Sequence, residues 1–388
     1  MTRNDNPLRS ADVRERNAKI VLKLIRKAHP KGLSQAEAVQ ATGLRAPTMF
    51  RIFSSLEAEG FINALPACSE QQEETKKGRP RICYGVRPDV LYCLGAEFWL
   101  DRVSIGIFDF QGELLSSSQE PLTAAIDAQA VVEALWKQTE GLISASRIDR
   151  SRILGMGVGA PGQVNVRSGS VAFYSRIAGM RGFPLAKALE EKLGLPVQLH
   201  NNCSIIALAE SRYGELPGAE ALFMFLLRSG VNGSFVSEGR AHLASDGNTI
   251  ETGHVVVQPD GEDCVCGAKG CLEAQLSHCD QSNLGRGHWL FNGPAAKDTD
   301  ERGRVYAAAA PYLAAATRTM ARLYSPKAFL FVAATRELAE GLSAAVQQDL
   351  QAHPSGFDSH ATAFYARAYN DALALRGAAD LVMDTYFN

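Results

Sequence analysis

Three cysteines, Cys264, Cys266 and Cys271, fall within eight positions, and His254 lies just upstream in the stretch ETGHVVVQPDGEDCVCGAKGCLE, Glu251 to Glu273. Soft thiolates plus an imidazole are the ligand set that Zn²⁺ prefers, four-coordinate and tetrahedral when the site is closed. Gly267 and Gly270 can take the backbone turns that aim all three sulfurs at one point. With His254 as the fourth ligand, no coordination position is left open for chemistry, so the expected role of the zinc is structural. Cys68, Cys83, Cys93, Cys203 and Cys279 have no such spacing and are read as bystanders.

A loop of this kind has to be held by larger elements, and 388 residues suffice for two or three domains with a substantial core. The composition, 46% hydrophobic and 21% charged, is that of a globular protein. No apolar run approaches the roughly 20 residues that span a bilayer, and the polar start MTRNDNPLRSADVRERN lacks the core of a secretory signal. A cytoplasmic protein with reduced thiols is therefore expected. The charge is uneven: residues 1–88 hold 16 Lys/Arg against 9 Asp/Glu, and residues 89–388 hold 24 against 33. A basic head on an acidic body is the pattern expected when only the head meets nucleic acid.

Within that head, residues 14–28 (RERNAKIVLKLIRKA) have helical periodicity, with Ile20, Leu24 and Lys27 on one face and Val21 and Ile25 beside them. Ser34-Gln-Ala-Glu37 is a capping box that starts a second helix, and Gly43 ends it. A third helix opens at Pro47, runs to about Glu59, and presents Met49, Ile52, Phe53 and Leu56 as its core face. Gly60 stops it and Phe61-Ile62 begins a strand. The succession predicts a winged helix-turn-helix. The outward face of the third helix then carries Arg45, Ala46, Thr48, Phe50 and Arg51. Arg45, Thr48 and Arg51 can reach base edges or phosphates, while Phe50 either touches a thymine methyl or packs against the wing or second helix. Arg79 and Arg81, in Lys76-Lys-Gly-Arg-Pro-Arg81, form an extended basic segment expected to enter a minor groove.

From residue 93 onward, strand-like and helix-like segments alternate. LGAEFWL, VSIGIFDF, GELLSS, ILGMGVGAPG, PVQLHNN and ALFMFLL read as strands. Residues 127–146, 184–194 and 203–213 read as helices, as do alanine-rich 304–323 and 359–382. The expected fold is α/β, layered, with a cleft at the strand ends.

Several of these segments together resemble one family. Glu251-Thr-Gly-His254 followed by Cys264-Val-Cys266-Gly-Ala-Lys-Gly-Cys271-Leu-Glu273 is similar to the signature of the ROK family (repressors, open reading frames, kinases). Gly159-Ala-Pro-Gly162, Asn201-Asn202 through Ala209-Glu210, and Gly-Arg-Pro behind a winged helix match as well. The resemblance implies a winged helix-turn-helix DNA-binding domain over residues 1–88. It implies a two-lobed actin-like ATPase domain of the sugar-kinase kind over residues 89–388, with a zinc loop at 254–271. It further implies structural zinc on His254, Cys264, Cys266 and Cys271, and sugar hydroxyls held by Asn201, Asn202, Glu251, His254 and Glu273.

Kinase activity is not expected. The first phosphate loop of the kinases, Asp-x-Gly-Gly-Thr, is replaced by Glu97-Phe-Trp-Leu-Asp101, bulky where bare backbone must approach phosphate. The catalytic base of the Asn-Asp pair is replaced by Asn202, whose amide cannot take a proton from a hydroxyl. Ala333-Ala334 stands where the kinases pack Gly-Gly on the nucleotide. The second phosphate loop, Arg228-Ser-Gly-Val-Asn-Gly233, is only partly kept. The sequence thus predicts a transcriptional regulator, a repressor of carbohydrate genes, acting as a homodimer or tetramer on a palindromic double-stranded DNA operator. A sugar or sugar derivative would be its effector, with no membrane partner. The alternatives are a sugar kinase carrying a DNA-binding head and a DNA-binding scaffold without effector.

Overall fold

The computed structural model describes residues 10–65, 82–122, 126–228, 230–284, 299–355 and 362–388. The chain opens with α1 (Ser10–Lys27), β1 (Leu33–Ser34), α2 (Gln35–Thr42), α3 (Ala46–Ala58), β2 (Ile62–Ala64) and β3 (Cys83–Val86). The capping box forms as the residues dictate: the Ser34 hydroxyl accepts from the Glu37 N–H, and the Glu37 carboxylate accepts from the Ser34 N–H. Gly43 closes α2 in the left-handed region at φ 70°. Met49, Ile52, Phe53 and Leu56 are the buried face of α3. β1 and β2 flank β3 in a small antiparallel sheet, and the Phe53 ring meets Tyr84 of β3 edge-on at 5.1 Å.

In α1 the inward residues are Val21, Leu22 and Ile25, while Ile20 is 40% exposed and Leu24 half-buried. The expected Ile20–Leu24 stripe is therefore displaced by one position. Ile20 to Ile25 is apolar around most of its circumference, so periodicity alone does not choose the buried side. The tertiary partners choose it. α1 packs on α3 and also on the body, because one core cluster joins Val21, Ile25, Met49 and Phe53 to Phe108, Phe110, Val382 and Phe387. Cys83 is disulfide-bonded, against the expectation of a bystander thiol. The Gly-Arg-Pro segment with Arg79 and Arg81 lies outside the described residues.

The body begins with β4 (Tyr92–Phe98), β5 (Arg102–Phe108), β6 (Leu114–Pro121), α4 (Ala128–Ser146) and β7 (Ile153–Ala160). The hairpin β8 (Gln163–Asn165) and β9 (Ser170–Phe173), α5 (Leu185–Leu193), β10 (Val197–Asn201) and α6 (Asn202–Tyr213) follow. Five of these strands form one mixed sheet in the order β10-β7-β4-β5-β6. β11 (Ala221–Leu227), β12 (Val231–Ser237) and β13 (Arg240–Ala241) start a second lobe. α7 (Leu272–Leu284), α8 (Thr299–Tyr324), β14 (Ala328–Ala333), α9 (Arg336–Ala352), β15 (Ala363–Ala368) and α10 (Asp371–Phe387) complete the chain. The second sheet runs β13-β12-β11-β14-β15. Two lobes, each a five-stranded sheet with its own apolar core, carry out the expected α/β architecture.

The reading of 359–382 as one alanine-rich helix fails. Ala363–Ala368 is a strand parallel to β14, and a separate helix starts at Asp371, capped by the Asn370 side chain accepting from the Leu373 N–H. α10 runs along the first lobe against backbone. A Cβ on Gly95 would lie 2.0 Å from the Leu375 carbonyl oxygen, and one on Gly157 would lie 1.8 Å from that of Ala378. α6 packs between the lobes and touches α10 just as closely, a Cβ on Gly377 falling 2.1 Å from the Ile205 oxygen. Among the described residues no helix is long and apolar enough to cross a membrane.

Candidate functional site

The zinc-type cluster is built by short-range backbone bonds. Val256 pairs with Cys271 and Asp263 with Lys269 as isolated antiparallel bridges. The Cys264 N–H donates to the Ala268 oxygen at 2.8 Å and the Gly267 N–H back to the Cys264 oxygen at 2.9 Å, forming a tight turn. Gly267 and Gly270 take φ of 94° and 72°, the left-handed conformations their position required. A Cβ on Gly270 would sit 1.6 Å from the Gln258 oxygen, so no other residue fits there. The result brings one ligand atom each from His254, Cys264, Cys266 and Cys271 within 4.8 Å of one another. The Cys266 and Cys271 sulfurs are 3.7 Å apart. A tetrahedron of thiolates at about 2.3 Å from zinc has edges of roughly 3.8 Å. The donor set and its spacing fit zinc.

His254 joins this cluster to a cleft. Its Nδ1 faces Cys264 Sγ at 3.4 Å, which leaves Nε2 for the other side. The cleft, with about 700 Å³ of empty volume open to solvent, lies between the lobes and is lined by all five predicted ligand residues, Asn201, Asn202, Glu251, His254 and Glu273. Glu251 receives the Asn232 amide at 3.3 Å, and Asn232 Oδ1 in turn accepts from the Thr252 and Gly233 N–H groups. Burial, reinforced by the nearby Glu273, pushes the Glu251 carboxyl up to about 8. Glu273 is tied twice, to the Val231 N–H at 3.0 Å and to Arg176 at 3.1 Å. Gly230 leaves room for that carboxylate, since a Cβ there would approach its Oε2 at 2.6 Å.

The two asparagines differ. Asn201 lines the cleft, but its Oδ1 caps α6 by accepting from the Cys203 N–H at 2.7 Å and its Nδ2 donates to the Gly162 oxygen at 2.6 Å. Asn202 donates through Nδ2 to the Phe98 oxygen at 3.1 Å, and its buried Oδ1 has no partner among the described residues. Gly159 makes space for it, as a Cβ there would lie 2.8 Å from Oδ1. Behind the asparagines, His200 is buried, accepts from the Asn201 N–H at 2.9 Å, and is lowered by burial to about 4.

Sequence reasoning named the stretches that hold Trp99 and Arg228 but did not join them to each other or to Tyr369. The Arg228 guanidinium carbon lies 4.4 Å from the Trp99 ring centroid and 4.2 Å from that of Tyr369. The Tyr369 hydroxyl donates to Glu97, which is fully buried and whose carboxyl is raised chiefly by that burial. The stretch Glu97-Phe-Trp-Leu-Asp101 contributes Trp99 to this stack and Glu97 behind it. The three residues lie far apart in sequence, so no local spacing announces the cluster; the one signal was Arg228 opening an altered glycine loop.

On the head, Arg45 at the N-cap of α3 and Thr48, Phe50 and Arg51 in its first two turns are all exposed. Phe50 is 60% exposed. These residues share no surface with the cleft.

A family model described as ROK family matches residues 93–385. The xylose repressor of Caldicellulosiruptor bescii is 24% identical over 257 residues, 66% of this chain and 62% of that protein. A glucokinase of Halalkalibacterium halodurans is 31% identical over 185 residues, 47% of this chain and 56% of that one. The chain thus spans less than two thirds of the length of these curated relatives. The crystal structure of a ROK family transcriptional regulator, a homologue of the E. coli MLC protein, superposes with a TM-score of 0.75 at 20% identity, covering 97% of both chains. With a signature loop that folds into a four-ligand cluster beside an interlobe cleft, and a family match over three quarters of its length, this chain belongs to the ROK family.

Proposed function

We propose that this chain is a transcriptional regulator that binds a double-stranded DNA operator through α3 and senses a sugar or sugar derivative in the interlobe cleft. The observation that carries the reading is the union, in one chain, of an α3 that exposes Arg45, Thr48, Phe50 and Arg51 to solvent with a ROK-family interlobe cleft. Arg45, Thr48, Phe50 and Arg51 face solvent at the N-terminal half of a helix of the type that enters the major groove. In the cleft, Asn202, Glu251, His254 and Glu273 offer the mixed acceptors and donors that hydroxyl groups require. Zinc on His254 and the three cysteines would hold one wall of that cleft rigid and fix the orientation of the imidazole.

Phosphoryl transfer is not the reading favoured. Trp99, stacked with Arg228, belongs to the stretch Glu97-Phe-Trp-Leu-Asp101 that in sequence stands for a bare phosphate loop, and Asn202 supplies no base. The palindromic operator and a homodimer or tetramer follow from the geometry of helix-turn-helix recognition, in which paired helices read half-sites about one turn apart. Repression is the mode proposed, with Arg79 and Arg81 as further DNA contacts.

The test is selection of binding sites from random duplex DNA with the purified chain, followed by anisotropy titrations of the selected site with wild type and Arg51→Ala. The variant is expected to bind about tenfold or more weakly with an unchanged melting temperature. Equal affinity for the two proteins, or no selected site at all, contradicts the reading of α3.

A further inference from the structure

A second cavity, open to solvent, lies where the head meets the body, and it shares no lining residue with the interlobe cleft. From the head, α1 brings Lys23, Arg26 and Lys27 to its wall. These are spaced i, i+3 and i+4, and so share one face of the helix. From the body come Arg212 at the end of α6, Arg240 of β13 and Arg376 of α10.

Part of this charge is matched within the protein. Arg212 pairs with Asp380 and Asp384 of α10. Arg26 reaches the same Asp380 at 3.7 Å, and its Nε donates to the Phe110 oxygen at 2.8 Å. The rest is not matched. Lys27, Arg240 and Arg376 have no ion pair among the described residues. Arg376 lies over the Tyr213 ring at 3.7 Å, and its buried Nε has no hydrogen-bond partner among the described residues. Its guanidinium also stands close to that of Arg26. A Cβ on Gly112, in the β5–β6 turn, would lie 2.9 Å from Arg26 Nη2 and 3.2 Å from Arg376 Nη2. Two cations, one from the head and one from the body, thus converge beside this glycine, and they repel unless an anion joins them. The one carboxylate near both, Asp380, is already shared between Arg26 and Arg212. The cavity's other acidic groups outside α10, Glu113 and Glu238, are exposed and pair with neither.

We propose that this cavity binds a small organic molecule bearing two or more phosphate groups, bridged between Arg26 and Lys27 of the head and Arg376 of the body. A guanidinium fork pairs two phosphate oxygens at once, and the Tyr213 ring already holds the plane of Arg376. Cations from two separate elements call for a ligand with charge at more than one point, which a single carboxylate or sulfate lacks. Pro30, Met383 and Phe387 add apolar wall, which takes the organic part of such a ligand. Once bound, the ligand ties α1 to α10 and gives the head an input separate from the interlobe cleft.

Isothermal titration of the full chain with adenosine diphosphate, pyrophosphate, citrate and sulfate, all at one ionic strength, tests this. Adenosine diphosphate is expected to bind about tenfold or more tightly than sulfate or citrate, with pyrophosphate between them. Arg376→Gln should weaken it by about tenfold, and Arg376→Lys by less, since the charge stays and the fork is lost. Lys27→Gln, at an exposed position without an ion pair, keeps the fold intact and should weaken the diphosphate by about threefold or more. Lys187→Gln, which removes one exposed positive charge outside the cavity, should leave its affinity unchanged. Thermal melting of each unliganded variant reports whether it folds. No binding of either phosphate compound, or citrate or sulfate binding as tightly, overturns the proposal. So does an affinity that survives Lys27→Gln or a folded Arg376→Gln, or one that falls as far in Lys187→Gln.

Discussion

His254 presents Nδ1 to the sulfur cluster at 3.4 Å while its ring forms part of the cleft wall, so the proposed metal and the proposed ligand would meet on one side chain. Removing a metal ligand should therefore act on fold and sensing together. For Cys271→Ser, mass spectrometry under native conditions is expected to show loss of about one zinc per chain, with a melting temperature lower by at least about 5 °C. Full zinc content, or an unchanged melting temperature after its loss, would refute the structural role. His200 gives a second residue-scale expectation. Burial lowers it to about 4 from an ordinary value near 6.5. Between those values the unfolded chain binds the proton more readily than the folded one. Stability is thus complete above pH 6.5 and falls as pH drops toward 4, by about 3 kcal/mol from this group. Urea unfolding of His200→Gln should lack that part of the pH dependence; parallel curves for the two proteins would contradict it. The cluster and the five cleft residues were legible because each stands in a short motif. The Arg228 stack was not, because Trp99 and Tyr369 meet it only through the fold.

At the scale of elements, the head was readable nearly to the residue because its signals are local: the Ser34 box, Gly43, Pro47 and the Met49–Leu56 stripe each decide one helix end or face. The exceptions have tertiary causes. Ile20 to Ile25 is apolar on too many sides for its own period to select Val21, Leu22 and Ile25. β15 is an edge strand whose residues are almost all half-buried, so it lacks both the continuous apolar run of a central strand and a clean alternation. Flanked by alanine-rich sequence, it reads as helix. α10 shows a different limit. Its contact with the first sheet depends on Gly95 and Gly157, which in the sequence are merely strand glycines. Gly157→Ala would drive a Cβ into the Ala378 carbonyl at 1.8 Å, and helix and sheet must separate to accept it. A loss of about 3 kcal/mol or more, or an insoluble protein, is expected. Gly141→Ala, in α4 with nothing within 4 Å of the new atom, should be neutral or gain about 0.5–1 kcal/mol. Equal denaturation midpoints for the two variants would show that α10 is not seated on backbone.

The whole molecule places a common element between cleft and head. α10 follows Tyr369, which clamps Arg228, and ends at Tyr386 and Phe387, which pack on Phe110 in the core shared with α1. Midway, Asp380 accepts from Arg212 and the Tyr213 hydroxyl at the end of α6 and pairs with Arg26 of α1 at 3.7 Å. The head is thus packed on the helix that follows Tyr369, the ring stacked on Arg228 of the cleft wall, and is not suspended from a free linker. A ligand that changes the setting of α10 has a direct mechanical route to the helix-turn-helix, provided that it binds the two settings with different affinity. The charge difference between head and body and the two-lobed architecture were visible in the sequence. This shared core was not, because its members come from both ends of the chain. The central claim, that sugar occupancy controls DNA binding, is tested most directly by titrating the selected operator with the full chain in the absence and presence of a saturating sugar ligand at fixed salt. The account predicts a change in operator affinity of about 5- to 150-fold. An operator affinity that stays the same while calorimetry shows the cleft occupied would contradict it.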